Sequence, residues 1–206
     1  MSEKLLGSLS KGIIFVISAP AGTGKTTLAR MLIDEFPCIS GSISCTTRPI
    51  RSGEVPDKDY HFLTQEEFEN NITENHFLEY AKVFGYYYGT LKSQIEKKIR
   101  EGQHVLLVID TQGANELKKQ GYPAVFIFIR PPSMGELRSR LFHRKTEEQQ
   151  HIEQRLTWAE HELEQAQNYD YIVINDNLHR AFEILRSILI SEEHKTERYH
   201  VRNFNK

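Results

Sequence analysis

Cysteine is scarce in this chain: two residues among 206, Cys38 and Cys45. Two are too few for a disulfide framework and their spacing matches no metal-binding pattern, so a reducing compartment is expected. Long apolar runs are also missing. Stretches such as Ala124–Ile129 fall far below the ~18 residues of a membrane span, and residues 1–11 carry two lysines without the apolar core of a secretory signal. Nor is there an excess of positive charge. Lys and Arg number 26 against 28 Asp and Glu, a formal charge of −2, which argues against a protein that coats nucleic acid or lies on acidic membranes. The nine histidines are scattered without zinc-ligand spacing, and internal repeats and low-complexity tracts are absent. With 39% hydrophobic and 26% charged residues, the chain reads as one cytoplasmic globular domain. A chain of this size buries roughly 70% of its unfolded surface without covalent help.

Four segments have the β-branched, uninterrupted apolar character of strands covered on both faces: Gly12–Ser18, His104–Ile109, Ala124–Ile129 and Tyr171–Asn175. Helical stripes follow them, as in Leu28, Met31 and Leu32, then Met134, Leu137 and Leu141. Ile152, Leu156, Ala159, Leu163 and Ala166, in steps of four and three, predict a helix over 152–166. Ser133-x-x-Glu136 and Thr64-x-x-Glu67 have the form of capping boxes. The alternation predicts an α/β fold with a parallel sheet and helices on both faces. Two polar stretches, about 40–90 and 144–151, break the pattern and read as insertions at the C-terminal edge of the sheet, where such folds bind ligands.

After the first strand comes Ser18-Ala19-Pro20-Ala21-Gly22-Thr23-Gly24-Lys25-Thr26-Thr27, then a helix, which is the setting of a phosphate-binding P-loop. Glycines allow a tight turn that brings backbone N–H groups to phosphate oxygens, and the helix start adds its own unpaired N–H groups. Residues 19–27 are therefore ATP-binding candidates. Lys25 is expected to reach the β- and γ-phosphates, and the Thr26 hydroxyl to ligate Mg²⁺ carried with ATP. The pattern expects Gly at position 19; Ala19 fits if the chain leaves the strand with negative φ.

A P-loop does not identify the phosphate acceptor. Between it and the third strand lie Ser44–Pro49 (S-C-T-T-R-P), Arg51, Gly53-Glu54, Asp59–Phe62 (D-Y-H-F), Phe77–Ala81 (F-L-E-Y-A), Gly85–Thr90 (G-Y-Y-Y-G-T) and Ile109–Gly113 (I-D-T-Q-G). In this order and spacing, the set with its P-loop resembles the guanylate kinase family, which transfers phosphate from ATP to GMP, over nearly the whole chain. The resemblance implies a P-loop nucleoside monophosphate kinase fold over residues 11–190. Its core would cover about 11–39, 91–139 and 156–190, with a GMP-binding insertion at about 40–90, a lid at about 140–155 and a tail at 191–206. It assigns Arg48, Arg51, Tyr60 and Tyr88 to the GMP phosphate, a role suited to planar guanidinium forks and neutral hydroxyl donors. Glu79, with Ser44 and Thr90 beside it, is assigned to guanine, whose ring N–H and exocyclic amine present two adjacent donors to an acceptor-only carboxylate. Asp110 is carried over as a GMP-side residue, whereas Val108 stands where the family has a further acid.

Five of the 13 arginines fall within residues 130–155. Arg140, Arg144 and Arg155 keep the family's lid spacing and are expected to neutralise charge in phosphoryl transfer. Lys145 replaces the usual Gly, and Arg130 and Arg138 read as structural. Asn175 and Asp176, after the last strand, are candidates for ATP-base or loop contacts. Residues from Ser191 onward show no steady apolar stripe and read as a fraying helix end. Two other functions compete: a peptide-binding module that keeps this fold, disfavoured by the intact Lys25 and Thr26, and a P-loop kinase for another small acceptor, disfavoured by Glu79 and Ser44. The expected partners are ATP and GMP, with neither nucleic acid nor membrane; the sequence does not fix an oligomeric state.

Overall fold

The computed structural model of the chain describes residues 5–143 and 149–199. Five parallel strands, β1 (Ile14–Ser18), β2 (Ile39–Gly41), β7 (His104–Val108), β8 (Val125–Arg130) and β9 (Tyr171–Ile174), form one sheet in the order β2-β7-β1-β8-β9. The four expected strands are present with ends shifted by one or two residues; the three-residue β2 is too short to have announced itself. Strand side chains alternate between two buried faces. Phe15 and Ile17 join Leu28 and Leu32 of α1 (Lys25–Glu35) and Leu185 and Leu189 of α7 (Leu178–Glu193) on one side. Ile14 and Val16 join Ile95 of α3 (Lys92–Arg100) and Leu117 of α4 (Thr111–Lys119) on the other. The inner strands β1, β7 and β8 are buried on both faces, which is why they read as continuous apolar runs, whereas Ile172 and Ile174 of the edge strand β9 are exposed.

A second, four-stranded sheet arises within the polar stretch. Its order is β4-β3-β6-β5, from β3 (Cys45–Thr46), β4 (His61–Phe62), β5 (Phe77–Val83) and β6 (Tyr86–Leu91). The helix α2 (Gln65–Thr73) packs Phe68 into it, stacked on Phe77 and Tyr87 at ring-centre distances of 4.3 and 5.1 Å. Its start is a complete capping box: Glu67 N–H donates to Thr64 Oγ1 (3.1 Å) and Thr64 N–H to Glu67 Oε2 (2.7 Å). The expected box at Ser133 is half made. Ser133 Oγ accepts from Glu136 N–H, but the Glu136 carboxylate is engaged by Arg140 Nε at 2.9 Å.

Two further helices, α5 (Met134–His143) and α6 (Gln149–Glu164), meet through Leu137, Leu141, Leu156 and Ala159, as their stripes predict. Arg138 ties them with a two-pronged ion pair to Glu153 (2.8 and 2.9 Å), the structural role expected of it. Arg144 and Lys145 lie outside the described residues. The chain end corrects the sequence reading. Helix α7 does not fray from Ser191: Glu192 and Glu193 are buried at its last turn. Glu193 accepts from Gly7 N–H and Ser8 N–H (both 2.8 Å) and pairs with His104 Nε2 (2.6 Å); Glu192 accepts from the Tyr171 hydroxyl and pairs with Lys195 and Arg198. A polar latch replaces the apolar stripe, which is why hydrophobic periodicity could not reveal it. Among the described residues, no helix is long and apolar enough to cross a membrane.

Candidate active site

The C-terminal ends of β1 and β7 open into a cleft of about 780 Å³ between the two sheets. Residues Pro20 to Thr27 form one wall, and Ser44, Arg48, Arg51, Tyr60, Glu79 and Tyr88 the opposite one. Val108 and Asp110 lie between them and Arg155 of α6 at the margin. Of the predicted site, residues 20–27 with Ser44, Arg48, Arg51, Tyr60, Glu79, Tyr88, Asp110 and Arg155 thus converge on one volume, of the size that holds small ligands, whereas Ala19, Thr90, Arg140 and Asn175 lie behind its lining.

The P-loop owes its shape to two glycines. Gly22 and Gly24 take φ of 88° and 90°, values side chains rarely adopt. A Cβ on Gly24 would also come within 2.6 Å of Asn175 Nδ2. Ala19 has no positive φ and is buried in the core, so the departure from Gly is accommodated. Thr23 closes the turn by donating its hydroxyl to Pro20 O (2.8 Å). Helix α1 starts with no side-chain cap, leaving its first N–H groups for an anion. Lys25 Nζ lies 3.3 Å from Ala19 O and 3.4 Å from Ile109 O, and burial lowers its pKa against the opposing fields of Glu162 and Asp110.

Asn175 is buried behind this loop and donates from Nδ2 to Thr23 O (2.7 Å); its backbone carbonyl accepts from Arg140 Nη2 (3.1 Å). The loop contact anticipated for it is present. Asp176 instead accepts from Asn177 N–H and pairs with Arg180. Arg140 is thereby held beside the loop without lining the cleft.

On the acceptor wall, Arg48 is buried, lies 5.4 Å from the centre of the Tyr60 ring, and donates to Glu54 Oε1 (2.7 Å). Glu54 Oε2 accepts from Arg51 N–H (2.8 Å), so one carboxylate orders both arginine-bearing segments. The sequence carried Glu54 in its motif without a role. Tyr60 and Tyr88 meet edge to face at 6.1 Å, and burial raises the Tyr60 pKa.

Glu79 reaches the cleft through an irregularity in β5. Strict alternation would send Leu78 and Glu79 to opposite faces of β5, yet both are buried. A register irregularity between Phe77 and Glu79 re-aims the chain: Phe77 enters the small sheet's core, Leu78 the main core, and Glu79 the cleft. Glu79 Oε1 accepts from Thr90 Oγ1 (2.6 Å), while a Cβ on Gly113 would lie 2.2 Å from Oε2, which explains the glycine of I-D-T-Q-G. Burial pushes the Glu79 carboxyl up to about 7, partly offset by the Thr90 hydrogen bond and reinforced by Asp110. Asp110 caps α4 through Gly113 N–H (2.8 Å), and burial raises its pKa as well.

Glu162 was missed by the sequence reading. It follows Ala159 by three residues and so shares the inward face of α6, where burial raises its carboxyl to about 7 against the field of Lys25. A charge at a core-facing helical position was the available signal.

The guanylate kinase family model matches residues 11–192. The chain is 55% identical to the guanylate kinase of Protochlamydia amoebophila over 189 residues, 92% of this chain and 95% of that one. It is 46% identical to that of Chlamydia trachomatis serovar D over 202 residues, 95% and 98% of the two chains. The crystal structure of guanylate kinase from Anaplasma phagocytophilum superposes with a TM-score of 0.76 at 36% identity, covering 92% of this chain and 90% of that one. Family model, sequence identity and fold agree, and this chain belongs to the guanylate kinase family.

Proposed function

We propose that this chain transfers the γ-phosphate of ATP to GMP, and also to dGMP, giving ADP and GDP in the cytoplasm. The observation that carries the reading is Glu79: a carboxylate 4% exposed, facing a cleft whose other wall is a P-loop. An acceptor-only group buried with one hydroxyl partner has capacity left for two ligand donors, which guanine offers and adenine does not. The related-kinase and peptide-module readings have no use for that carboxylate.

In this mechanism the P-loop amides, the α1 N-terminus and Lys25 cradle the ATP phosphates. Arg48, Arg51, Tyr60 and Tyr88 hold the GMP phosphate, leaving one oxygen directed in line at the γ-phosphorus. Ser44 and Thr90 flank the base. Thr26 Oγ1, exposed at the first turn of α1 and lining the cleft, is a hard oxygen donor that suits Mg²⁺ alongside phosphate oxygens and water. When bound, Mg²⁺ neutralises charge on the β- and γ-phosphates. Arg155, Arg140 and Arg144 complete that neutralisation around the equatorial oxygens, and Asp110 orders the acceptor side. The GMP phosphate is already anionic at neutral pH, so a general base is not required.

A coupled assay of ADP release with GMP, dGMP, AMP, UMP and TMP tests the assignment. Turnover with GMP and dGMP and little with the others is expected. A preference for any non-guanine acceptor refutes it.

A further inference from the structure

The turn joining β5 to β6 has two residues, Phe84 and Gly85, with φ of 48° and 86°. Positive φ at both positions is the type I′ turn, whose first place favours Asn, Asp or Gly. A phenylalanine there is strained, and at 53% exposure its ring is not recompensed by burial in a core. What the ring does touch lies across the cleft on α6. The chain's one tryptophan, Trp158, has its ring 6.0 Å from that of Phe84, tilted by 57°. The Arg155 guanidinium carbon lies 6.0 Å from the centre of the same Phe84 ring. Phe84 and Arg155 both line the cleft.

We infer that Phe84 and Trp158 form an aromatic clamp that positions Arg155 towards the transferring phosphoryl group, with Phe84 and Trp158 acting as positioning residues. The inference rests on the phosphotransferase reading above. Arginine is a long side chain with many rotamers, and a flat ring beside its planar cation restricts them without occupying its N–H edge. That edge is the part of the side chain that phosphate oxygens engage. The clamp also spans the two halves of the site. Phe84 belongs to the acceptor-binding hairpin, whereas α6 packs on α5, whose Leu141 would lie 3.0 Å from a Cβ on Gly22 of the P-loop. Movement of the acceptor sheet is thus coupled to the arginine that serves the ATP side.

The test uses the full chain and the variants Phe84→Tyr, Phe84→Leu, Arg155→Ala and the double variant Phe84→Leu/Arg155→Ala. Leu keeps apolar bulk but removes the π face. Phe84→Tyr is expected to retain wild-type kcat. Phe84→Leu should lower kcat about fivefold, the scale of one cation–ring contact plus one aromatic pair, with the KM for ATP and the melting temperature unchanged. In the Arg155→Ala background the Leu substitution should have no further effect. Trp158 supplies an independent reading: GMP plus a non-hydrolysable ATP analogue should shift its emission in the wild type but not in Phe84→Leu. If Arg155→Ala loses kcat while Phe84→Leu keeps both the wild-type rate and the emission shift, the clamp is overturned. If Arg155→Ala itself retains full kcat, the role given to Arg155 fails, and the clamp with it.

Discussion

Replacing Glu79 by glutamine changes one oxygen into an amide nitrogen and leaves the shape of the side chain intact. The amide can accept from one guanine donor but turns a second donor toward the other. A lost charge-assisted hydrogen bond and an unsatisfied buried donor together cost about 3 kcal/mol, or about two orders of magnitude in kcat/KM for GMP. The affinity for ATP should be unaffected, because Glu79 belongs to the acceptor wall. The pH dependence is a sharper test. Burial holds the free carboxyl at about 7, and guanine donors favour its ionised form. GMP binding must therefore expel a proton below that pH, and the ratio of wild-type to Glu79→Gln kcat/KM should fall towards tenfold per unit as pH drops below 7. The second ionisation of the GMP phosphate affects both enzymes alike and cancels in the ratio. Stability should move the opposite way. The folded pKa is raised above the usual 4.5, so the folded state holds the proton more tightly and wild-type stability declines as pH rises from 4.5 through 7. By pH 8 that loss is on the order of 3 kcal/mol, which Glu79→Gln avoids. The variant should melt higher than wild type at pH 8 and lose the advantage near pH 4. Steady-state kinetics across pH and thermal melts measure both. Unaltered GMP turnover in Glu79→Gln, or a ratio indifferent to pH, would refute the base-recognition argument.

Two further outcomes are expected. Lys25→Met should reduce phosphoryl transfer by about three orders of magnitude without lowering the melting temperature, since burial already disfavours the lysine charge; a rate assay paired with a thermal melt checks it. Glu193→Ala should strand Gly7 N–H, Ser8 N–H and His104, costing about 3–5 kcal/mol and roughly 10 °C in melting temperature. The KM values for ATP and GMP should be unchanged, because His104 opens β7 at the edge opposite the cleft.

Much of this molecule could be read from local pattern. The P-loop was legible because its chemistry is contiguous: glycines, lysine and threonine act within ten residues, and a buried parallel strand before them is an unmistakable apolar run. The stripes of α5 and α6 were legible for the same reason, since a helical face is a periodicity. The capping box at Thr64 was legible because both partners lie within one turn, and the one at Ser133 forms only its serine half because Arg140, a turn further on, engages the glutamate.

Local patterns along the chain suffice for the α/β class, the phosphate-binding loop and, through a series of short motifs, the family. Each depends on residues near one another along the chain or on a fixed order of signatures. Which polar residues are buried, and what they face, follows from long-range packing. A register irregularity in β5 aims Glu79 into the cleft while Leu78 enters the main core. The packing of α6 carried Glu162 towards Lys25, the turn at Phe84 reached Arg155 across the cleft, and the end of α7 found Gly7, Ser8 and His104 far away in sequence. Burial of a charge is a property of everything that surrounds it, and for these residues the surroundings come from distant parts of the chain.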